Sequence, residues 1–357
     1  MSAIKFTNNN ALFFNTLRER VDGYFKQNDL KKTGNFKLYS KTIILLTVLT
    51  ANYIWLVFFT PSSVWVCLAL CALMGINFSA IGFNVMHDGS HGSYSTRKWV
   101  NEYMSHTLSV MGGSAYLWNQ KHNINHHTFT NIEGVDDDID VRPFIRIHPS
   151  QKKRWHHRFQ HIYCLFLYSI TYLFWVFYRD FIKYFTGKVA VNTPLRKMNV
   201  AEHIKFWGFK LIYVLVFLLI PIFRVGLADT LIGYSILAGV AGVVLAVVFQ
   251  LAHVVKETEF VTPETNSPVI ENDWAVHQVT TTVNFATRSK TLSWLLGGLN
   301  FQIEHHLFPR ISHIHYPKIS KIVKETCREF NVAYHEFPTM LSAIRSHLIH
   351  LKNVGMA

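Results

Sequence analysis

Residues 64–91, VWVCLALCALMGINFSAIGFNVMHDGSH, decide the fold of this 357-residue chain. From Val64 to Met86 the stretch contains no charged side chain, and its length is close to the ~20 apolar residues that a transmembrane helix needs. His87 and His91 follow at once, and their i, i+4 spacing puts both imidazoles on one face of a helix. The stretch therefore predicts a membrane span that ends in a pair of metal-ligating side chains.

Three other stretches have a similar composition and length: residues 42–60, 209–223 with their flanks, and 230–252. A fifth, residues 162–178, is shorter and strongly aromatic and runs into Arg179 and Asp180, so we expect it at the membrane interface or inside the bundle. Only 16% of the residues are charged, against roughly 25% in soluble domains. The predicted fold is all-α, an integral membrane bundle of about four transmembrane helices with a cytoplasmic helical cap that holds the histidines.

The positive charges indicate how this bundle is oriented. Residues 61–63 and 224–229 are short linkers within two pairs of spans, and Arg224 is the one Lys or Arg among 35 that they contain. Because Lys and Arg concentrate on the cytoplasmic side of membrane proteins, the linkers are predicted outside and both termini inside. The net charge of +13 then faces anionic headgroups. We expect membrane lipids as partners and no nucleic acid, since no basic–aromatic nucleic-acid motif is present.

Histidines gather at the predicted cytoplasmic ends of the spans. The candidate metal ligands are His87, His91, His122, His126, His127, His253, His305 and His306. All of them follow a span or lie in a segment predicted to be cytoplasmic, so they reach one membrane face. Neutral imidazole suits transition metals, and eight ligands exceed the needs of one tetrahedral ion. The four cysteines form no metal-ligand pattern, which favours a histidine-rich di-iron centre over an iron–sulfur cluster.

Other polar residues near these clusters have predicted supporting roles. Candidates for orienting the ligand imidazoles are Gln302, Asp88, Asp136, Asp137 and Asp138. A basic aromatic segment with His156, His157 and His161 is typical of a helix among lipid headgroups. His313 and His315 lie just before Pro317 and are expected at the surface. The remaining histidines stand alone, without metal-ligand spacing: His106, His148, His203, His277, His335, His347 and His350.

The sequence around two of the clusters resembles that of the membrane fatty acid desaturases. Residues 118–131, WNQKHNINHHTFTN, and the acidic run at 136–138 are similar to the family's second histidine box and its sequel. Residues 297–309, GGLNFQIEHHLFP, are similar to the third box of the front-end subgroup, in which Gln302 stands where other desaturases have histidine. Residues 274–284, WAVHQVTTTVN, resemble the stretch before that box. The resemblance covers roughly residues 40–335.

The resemblance implies two iron ions held by the eight histidines, O2 as co-substrate, and insertion of a cis double bond into an acyl chain. The acyl carrier is CoA or a lipid, and the front-end subgroup acts between an existing double bond and the carboxyl end, near carbon 5 or 6. Trp274, Gln278 and Asn284 are then possible substrate contacts. Many members carry a fused cytochrome domain marked by His-Pro-Gly-Gly. This motif is absent here, so we expect a separate electron donor, a ferredoxin or a cytochrome.

The expected organisation is a cytoplasmic segment over residues 1–40, a membrane desaturase domain over 41–335 and a cytoplasmic tail over 336–357. Two other functions stay open. A lipid hydroxylase could use the same di-iron scaffold, because return of oxygen to the carbon radical competes with removal of the second hydrogen. A metal transporter without redox chemistry is the other, although the candidate ligands gather at one face and no ionisable residue marks a path through the predicted spans.

Overall fold

A computed structural model describes residues 5–7, 11–190, 193–262, 269–270 and 273–357. The helices are α1 (Ala11–Gln27), α2 (Phe36–Phe58), α3 (Val64–Ser90), α4 (Lys98–Ser105), α5 (Thr107–Val110), α6 (residues 115–129), α7 (Trp155–Thr186), α8 (Val200–Val225), α9 (Leu227–His253), α10 (Trp274–Thr280), α11 (Lys290–Leu295), α12 (Gln302–Leu307), α13 (Tyr316–Glu329) and α14 (Met340–Met356). Two 3-10 turns cover Asp137–Ile139 and His313–His315.

Within the described residues, six short strands form three separate pairs. β1 (Lys5–Phe6) pairs in parallel with β4 (Val269–Ile270), and β5 (Asn284–Phe285) pairs in parallel with β6 (Glu336–Phe337). β2 (Lys188–Ala190) and β3 (Thr193–Pro194) are antiparallel. These pairs tie loops together and do not form a layer, so the predicted helical membrane fold is confirmed.

Five helices in the described part of the chain are long and apolar enough to cross a membrane, namely α2, α3, α7, α8 and α9. Tight turns join α2 to α3 and α8 to α9, at the positions that the sequence predicted. The hairpins expose large apolar side chains, among them Trp65 (77% exposed) and Phe223 (84% exposed). Surfaces of this kind are stable when lipid surrounds them, because helices satisfy their own backbone hydrogen bonds there. The chain is therefore a membrane protein.

The helix α9 is the centre of the bundle and packs on both α3 and α7. A β-carbon on Gly75 of α3 would lie 2.4 Å from the Leu237 carbonyl oxygen of α9. A β-carbon on Gly242 of α9 would lie 2.6 Å from the Tyr168 carbonyl oxygen of α7. Glycine at these two positions therefore lets neighbouring backbones touch, as is common between membrane helices.

The fifth apolar helix, α7, starts and ends on one side of the bundle. Near its start, Cys164 shares a buried cluster with Val254, at the C-terminal end of α9. Near its end, the Tyr184 hydroxyl lies 2.8 Å from Nδ1 of His203, in the first turn of α8. Both of these contacts are at the ends of α8 and α9 opposite their connecting turn. α7 thus begins and ends on the side of α8 and α9 opposite their connecting turn, and its position at the interface or inside the bundle stays a prediction.

The remaining elements form a cap over the histidine-bearing ends of the spans. In α1, Phe13, Leu17, Val21 and Phe25 recur every four residues, which makes one apolar face. This face is buried against α13, where Ile319 and Val323 belong to the same core cluster. At the opposite edge, α14 packs against α7 and α9. The cap therefore shields the histidine side of the bundle from water.

Candidate metal centre

All eight predicted ligands meet beneath the cap. His87 follows a π-helical turn, Gly82–Met86, near the end of α3. A second π-helical turn, Asn119–His126, carries the second cluster on α6. The other ligands are His253, the last residue of α9, and His305 and His306 of α12. A π turn holds one extra residue and so redirects the side chains that follow, which is why such turns are frequent at functional sites. Seven of the eight imidazoles are buried, and His91 is half-buried.

The ligands fall into two main groups. Nitrogens of His87, His91, His122 and His305 lie within 4.8 Å of one another, and so do those of His126, His253 and His306. His127 joins the groups: it lies within the same limit of His305 and His306, and its Nε2 is 3.3 Å from Nε2 of His122. Nε2 of His87 is also 3.3 Å from Nε2 of His122. Imidazoles that bind one ion at about 2.0–2.1 Å bring their nitrogens to roughly this separation.

Several ring nitrogens in the cluster are buried without any hydrogen-bond partner among the described residues. They are Nε2 of His91, His126, His305 and His306, and Nδ1 of His127. A buried polar atom without a partner costs about 1–3 kcal/mol, so five in one place would be strongly destabilising if nothing bound them. The donor set is all imidazole nitrogen, which suits a first-row transition metal. These residues therefore fit a metal centre.

In three of these rings the opposite nitrogen has a protein partner. Nδ1 of His126 lies 3.0 Å from Oδ2 of Asp136, and Nδ1 of His306 lies 2.8 Å from Oε1 of Gln278. Nδ1 of His305 is 3.2 Å from the Tyr316 hydroxyl. Such contacts fix the tautomer and turn the free nitrogen toward the cluster. The predicted orienting role fits the position of Asp136, and Asp138 lies 3.4 Å from the same nitrogen.

Burial also controls the protonation of the rings outside the spans. It lowers the pKa of His122, His127, His305 and His306 well below the ordinary value, which keeps these imidazoles neutral and able to ligate. For His126 burial acts in the same direction, but the carboxylates of Asp136 and Asp138 outweigh it and raise the pKa. Its Nδ1 donates to Asp136, and Nε2 faces the cluster.

Comparison with known proteins identifies the family. The family model described as fatty acid desaturase matches residues 63–338. The chain belongs to the fatty acid desaturase family. It is 38% identical to an sn-1 linoleoyl-lipid 6-desaturase of Arthrospira platensis, over 96% of this chain and 93% of the relative. It is 37% identical to an enzyme of the same name from Synechocystis sp., over 99% and 98%. An acyl-lipid (8-3)-desaturase of Physcomitrium patens is 38% identical over 97% of this chain and 72% of that protein.

Two histidines of this desaturase lie where the sequence did not predict them. His313 is 3% exposed and His315 7% exposed, so the expected surface position is wrong. Nδ1 of His313 lies 3.1 Å from Oδ1 of Asp88, and Lys41 of α2 lies 3.1 Å from its other nitrogen. Ser312 donates to Oδ2 of Asp88 at 2.6 Å. Asp88 therefore joins the first cluster to the segment after the third, and its partners are not ligand imidazoles.

Of the other residues predicted to orient ligands or contact the substrate, some contact a candidate ligand and others do not. Asp137 binds Arg179 and Lys183 in place of a histidine. Gln302 is buried, and its Nε2 has no partner in the described part of the chain. Gln278, expected at the substrate, instead accepts from Thr130 at 2.9 Å and contacts His306. Of the other predicted substrate contacts, the Trp274 indole donates to the His127 carbonyl oxygen, and Asn284 donates to Glu304 and the Tyr334 hydroxyl.

Asn131 lies in the second motif and has no role predicted from the sequence, yet its hydrogen bonds connect several parts of the candidate centre. Its φ of +56° is a left-handed conformation that asparagine tolerates, and it turns the chain directly after the second cluster. Its backbone N–H donates to Asp136 at 2.9 Å, and its side chain donates to the His253 carbonyl oxygen at 2.9 Å. The turn therefore delivers Asp136 to His126. The sequence signal was an asparagine between the box and the acidic run.

A cavity of about 350 Å³ reaches this centre. Its inner wall includes His122, His126 and His253, and apolar side chains of α6, α7 and α9 form much of the remainder. A smaller apolar cavity of about 30 Å³ touches His87 and shares Trp118, Trp175, Leu245 and Phe249 with the first. Volumes of about 300–1,000 Å³ are usual for small-molecule sites. The larger cavity therefore offers an apolar substrate direct access to the histidines.

Proposed function

We propose that this chain is a front-end acyl-lipid desaturase, which uses two iron ions and O2 to insert a cis double bond near carbon 5 or 6. The observation that carries the proposal is the set of buried imidazole nitrogens without protein partners, placed on the wall of an apolar cavity. The relatives named above are acyl-lipid desaturases, which supports a lipid-bound acyl chain as the substrate. Gln302 supports front-end specificity by the resemblance of its motif.

In this proposal one iron ion is held by His87, His91, His122 and His305, and the other by His126, His253 and His306, with His127 beside both. Bound iron supplies the reduction of O2 and the oxidation of an unactivated methylene pair, which no side-chain acid or base can achieve. The balance for each double bond is one O2, two electrons and two protons consumed and two waters formed. The protein's own part is to supply neutral ligands, to orient them through Asp136 and Gln278, and to keep the reacting carbons dry.

The electrons are proposed to come from a separate carrier on the cytoplasmic side, a ferredoxin or a cytochrome. The concentration of Lys and Arg away from the two hairpin turns supports this orientation and suits an acidic partner. The purified protein should therefore form product only when a donor and its reductase are added. Turnover with NADPH alone would contradict this part of the proposal.

The main test is a fatty acid methyl ester profile, by mass spectrometry, of cells that express the chain and are fed several unsaturated fatty acids. His126→Ala serves as the inactive control. A new product lighter than a fed acid by two hydrogens supports the desaturase, and its fragmentation gives the carbon attacked. A product heavier by one oxygen would replace this proposal with a hydroxylase. No new product despite a functional donor and full iron loading would overturn the proposal.

A further inference from the structure

One part of the cavity wall is charged, although most of the wall is apolar. Eight charged residues line it, and the five that pair with one another are called the ionic belt here: Lys121, Asp137, Asp138, Arg179 and Lys183. Lys183 binds Asp137 at 2.5 Å, and Arg179 binds the other oxygen of that carboxylate. Lys121 binds Asp138 and lies 3.9 Å from Asp137. Charged groups on an apolar cavity wall cost desolvation free energy, so a role in binding is a reasonable inference.

The ionic belt keeps donors available for a ligand. It has three cations and two carboxylates, and Arg142, Asp140 and Asp180 also line the cavity, so four cations and four carboxylates balance. Arg179 uses only Nη2 on Asp137, and its other N–H groups have no acceptor among the described residues. The side chains of Arg179 and Lys121 are 33% and 30% exposed, so both can be reached. An unfilled hydrogen-bond donor in a wall whose charges balance suits a neutral carbonyl oxygen.

The belt is also close to the metal ligands. Asp138 bridges the two: one carboxylate oxygen binds Lys121 and the other lies 3.4 Å from Nδ1 of His126. Lys121 also directly precedes His122 in the sequence. A single carboxylate therefore separates a cation of the belt from a ligand imidazole. If the belt binds a polar group of the substrate, only a few carbons of the acyl chain lie between that group and the candidate metal centre.

Resting on the proposed function, we propose that the ionic belt binds the ester carbonyl of the acyl lipid and thereby sets the position of the double bond. Arg179 and Lys121 would donate to the carbonyl oxygen, and the few carbons between that oxygen and the histidines would fix the count from the carboxyl end. The apolar wall only packs against methylenes, which are alike, so it cannot provide this register by itself. A polar anchor close to the metal centre explains oxidation near the carboxyl end.

The surroundings of the belt favour an ester in the bilayer over a CoA thioester. The exposed residues of the cavity rim combine Phe144, Ile170 and Phe174 with Arg142, a mixture that belongs at the boundary between lipid tails and headgroups. Arg142 is already paired with Asp140 through two hydrogen bonds. The cations and carboxylates that line the cavity balance, whereas the several phosphates of CoA would need a cluster of free cations.

The test measures the position of the double bond, which a purely structural defect would not move. Arg179→Gln is the main variant, because Asp137 keeps Lys183 as a partner when the guanidinium is lost. Lys121→Arg keeps the charge but alters the reach of the donor. Lys205→Gln is the matched control: this cation pairs with Glu102 and Glu202 and does not line the cavity. Each is expressed as the full chain, checked for iron content, and its products are mapped by mass spectrometry.

We expect the wild-type chain and Lys205→Gln to give one double-bond position, and both belt variants to give a mixture with a part of the product shifted by one or more carbons. Products of both belt variants at the wild-type position alone, at any yield, would overturn the proposal. Complete loss of product with normal iron content would also overturn it, because losing a residue that only sets the position of the acyl chain should shift the double bond and not abolish the reaction. A wild-type chain without product would instead contradict the proposed function.

Discussion

Two of the three His-His pairs in the chain, His126-His127 and His156-His157, have opposite environments. His126 and His127 each have a ring nitrogen that is buried without a partner. In the second pair, His156 and His157 both donate from Nε2 to the Pro143 carbonyl oxygen at 3.0 Å. Nδ1 of His157 also accepts from the Arg154 backbone N–H. The same dipeptide thus belongs to a candidate metal centre in one place and stabilises a helix start in the other.

Within these two pairs, the hydrogen-bond partners of the ring nitrogens separate the candidate ligand His126 from the structural His157. His157 is as deeply buried as His126, at 1% exposure each. What distinguishes them is that every polar atom of the His157 ring is satisfied by the protein, whereas His126 has one nitrogen held by Asp136 and one left for a ligand. A buried unpartnered nitrogen is costly unless a metal ion binds it.

The largest effect is expected when one histidine of the first pair, His126, is replaced. His126→Ala should reduce desaturated product below detection and lower bound iron, because it removes a ligand from the group with His253 and His306. His156→Ala should leave both nearly unchanged. Product yield and iron content of the purified variants decide the matter, and similar losses in the two variants would contradict the distinction between the pairs.

A smaller effect is expected when the partner of a ligand is changed and the ligand kept. Asp136→Asn should weaken iron binding about 10–100-fold, the range seen when such partners of metal-bound histidines are lost. The amide keeps the shape of the side chain but no longer stabilises the Nδ1 proton of His126. Iron affinity measured by competition with a chelator tests this, and unchanged affinity would show that Asp136 only shapes the turn at Asn131.

Gln278 is predicted from the sequence to contact the substrate, whereas in the structure it contacts the candidate ligand His306, so its variants can distinguish the two roles. Gln278→Leu should lower iron affinity by about tenfold, since the acceptor for His306 is lost. Gln278→Glu keeps an acceptor oxygen and should stay within a few-fold of the wild type. Iron affinity and fatty acid preference are measured together. A changed fatty acid preference at unchanged iron affinity would support the prediction that Gln278 contacts the substrate.

The smallest functional effect is expected at the second pair. His157→Ala should leave iron content and product position unchanged but reduce the free energy of unfolding by about 1–3 kcal/mol, because the Arg154 N–H loses its acceptor and the Pro143 carbonyl keeps only His156 as a donor. Thermal unfolding in detergent, with iron content as the companion measurement, checks this. Loss of iron without loss of stability would place His157 in the metal centre after all.

The parts of the fold that could be predicted from sequence depend on local composition. The hairpins around residues 61–63 and 224–229 follow from runs without charge, and His87 and His91 follow from i, i+4 spacing at the end of such a run. The positions of His313 and His315 could not be predicted, because their burial depends on contacts far away in the chain. Lys41 and Asp88, which surround His313, lie more than 200 residues earlier.

Charged residues in the apolar helices were missed for the same reason. Lys41 and Lys210 lie in candidate membrane spans, although the sequence indicated no ionisable residues that would line a transport path through them. The structure shows why each is tolerated: Lys210 donates to the carbonyl oxygens of Gly112 and Val176 and to Asp180, at 2.6, 2.6 and 2.9 Å. Only the folded bundle brings these acceptors to one place, so their compensation has no signal in the local sequence.

The backbone contact at Gly242 limits how this enzyme can diversify. Because α7 and α9 touch through main-chain atoms there, the spacing of the two cavity walls they form does not depend on side-chain size. Any larger residue at 242 would separate both helices and deform the whole wall at once. Ile170 and Phe249, in contrast, can change volume while the backbones stay in place. A change in the accepted acyl chain length is thus expected from such wall side chains, whereas position 242 requires glycine.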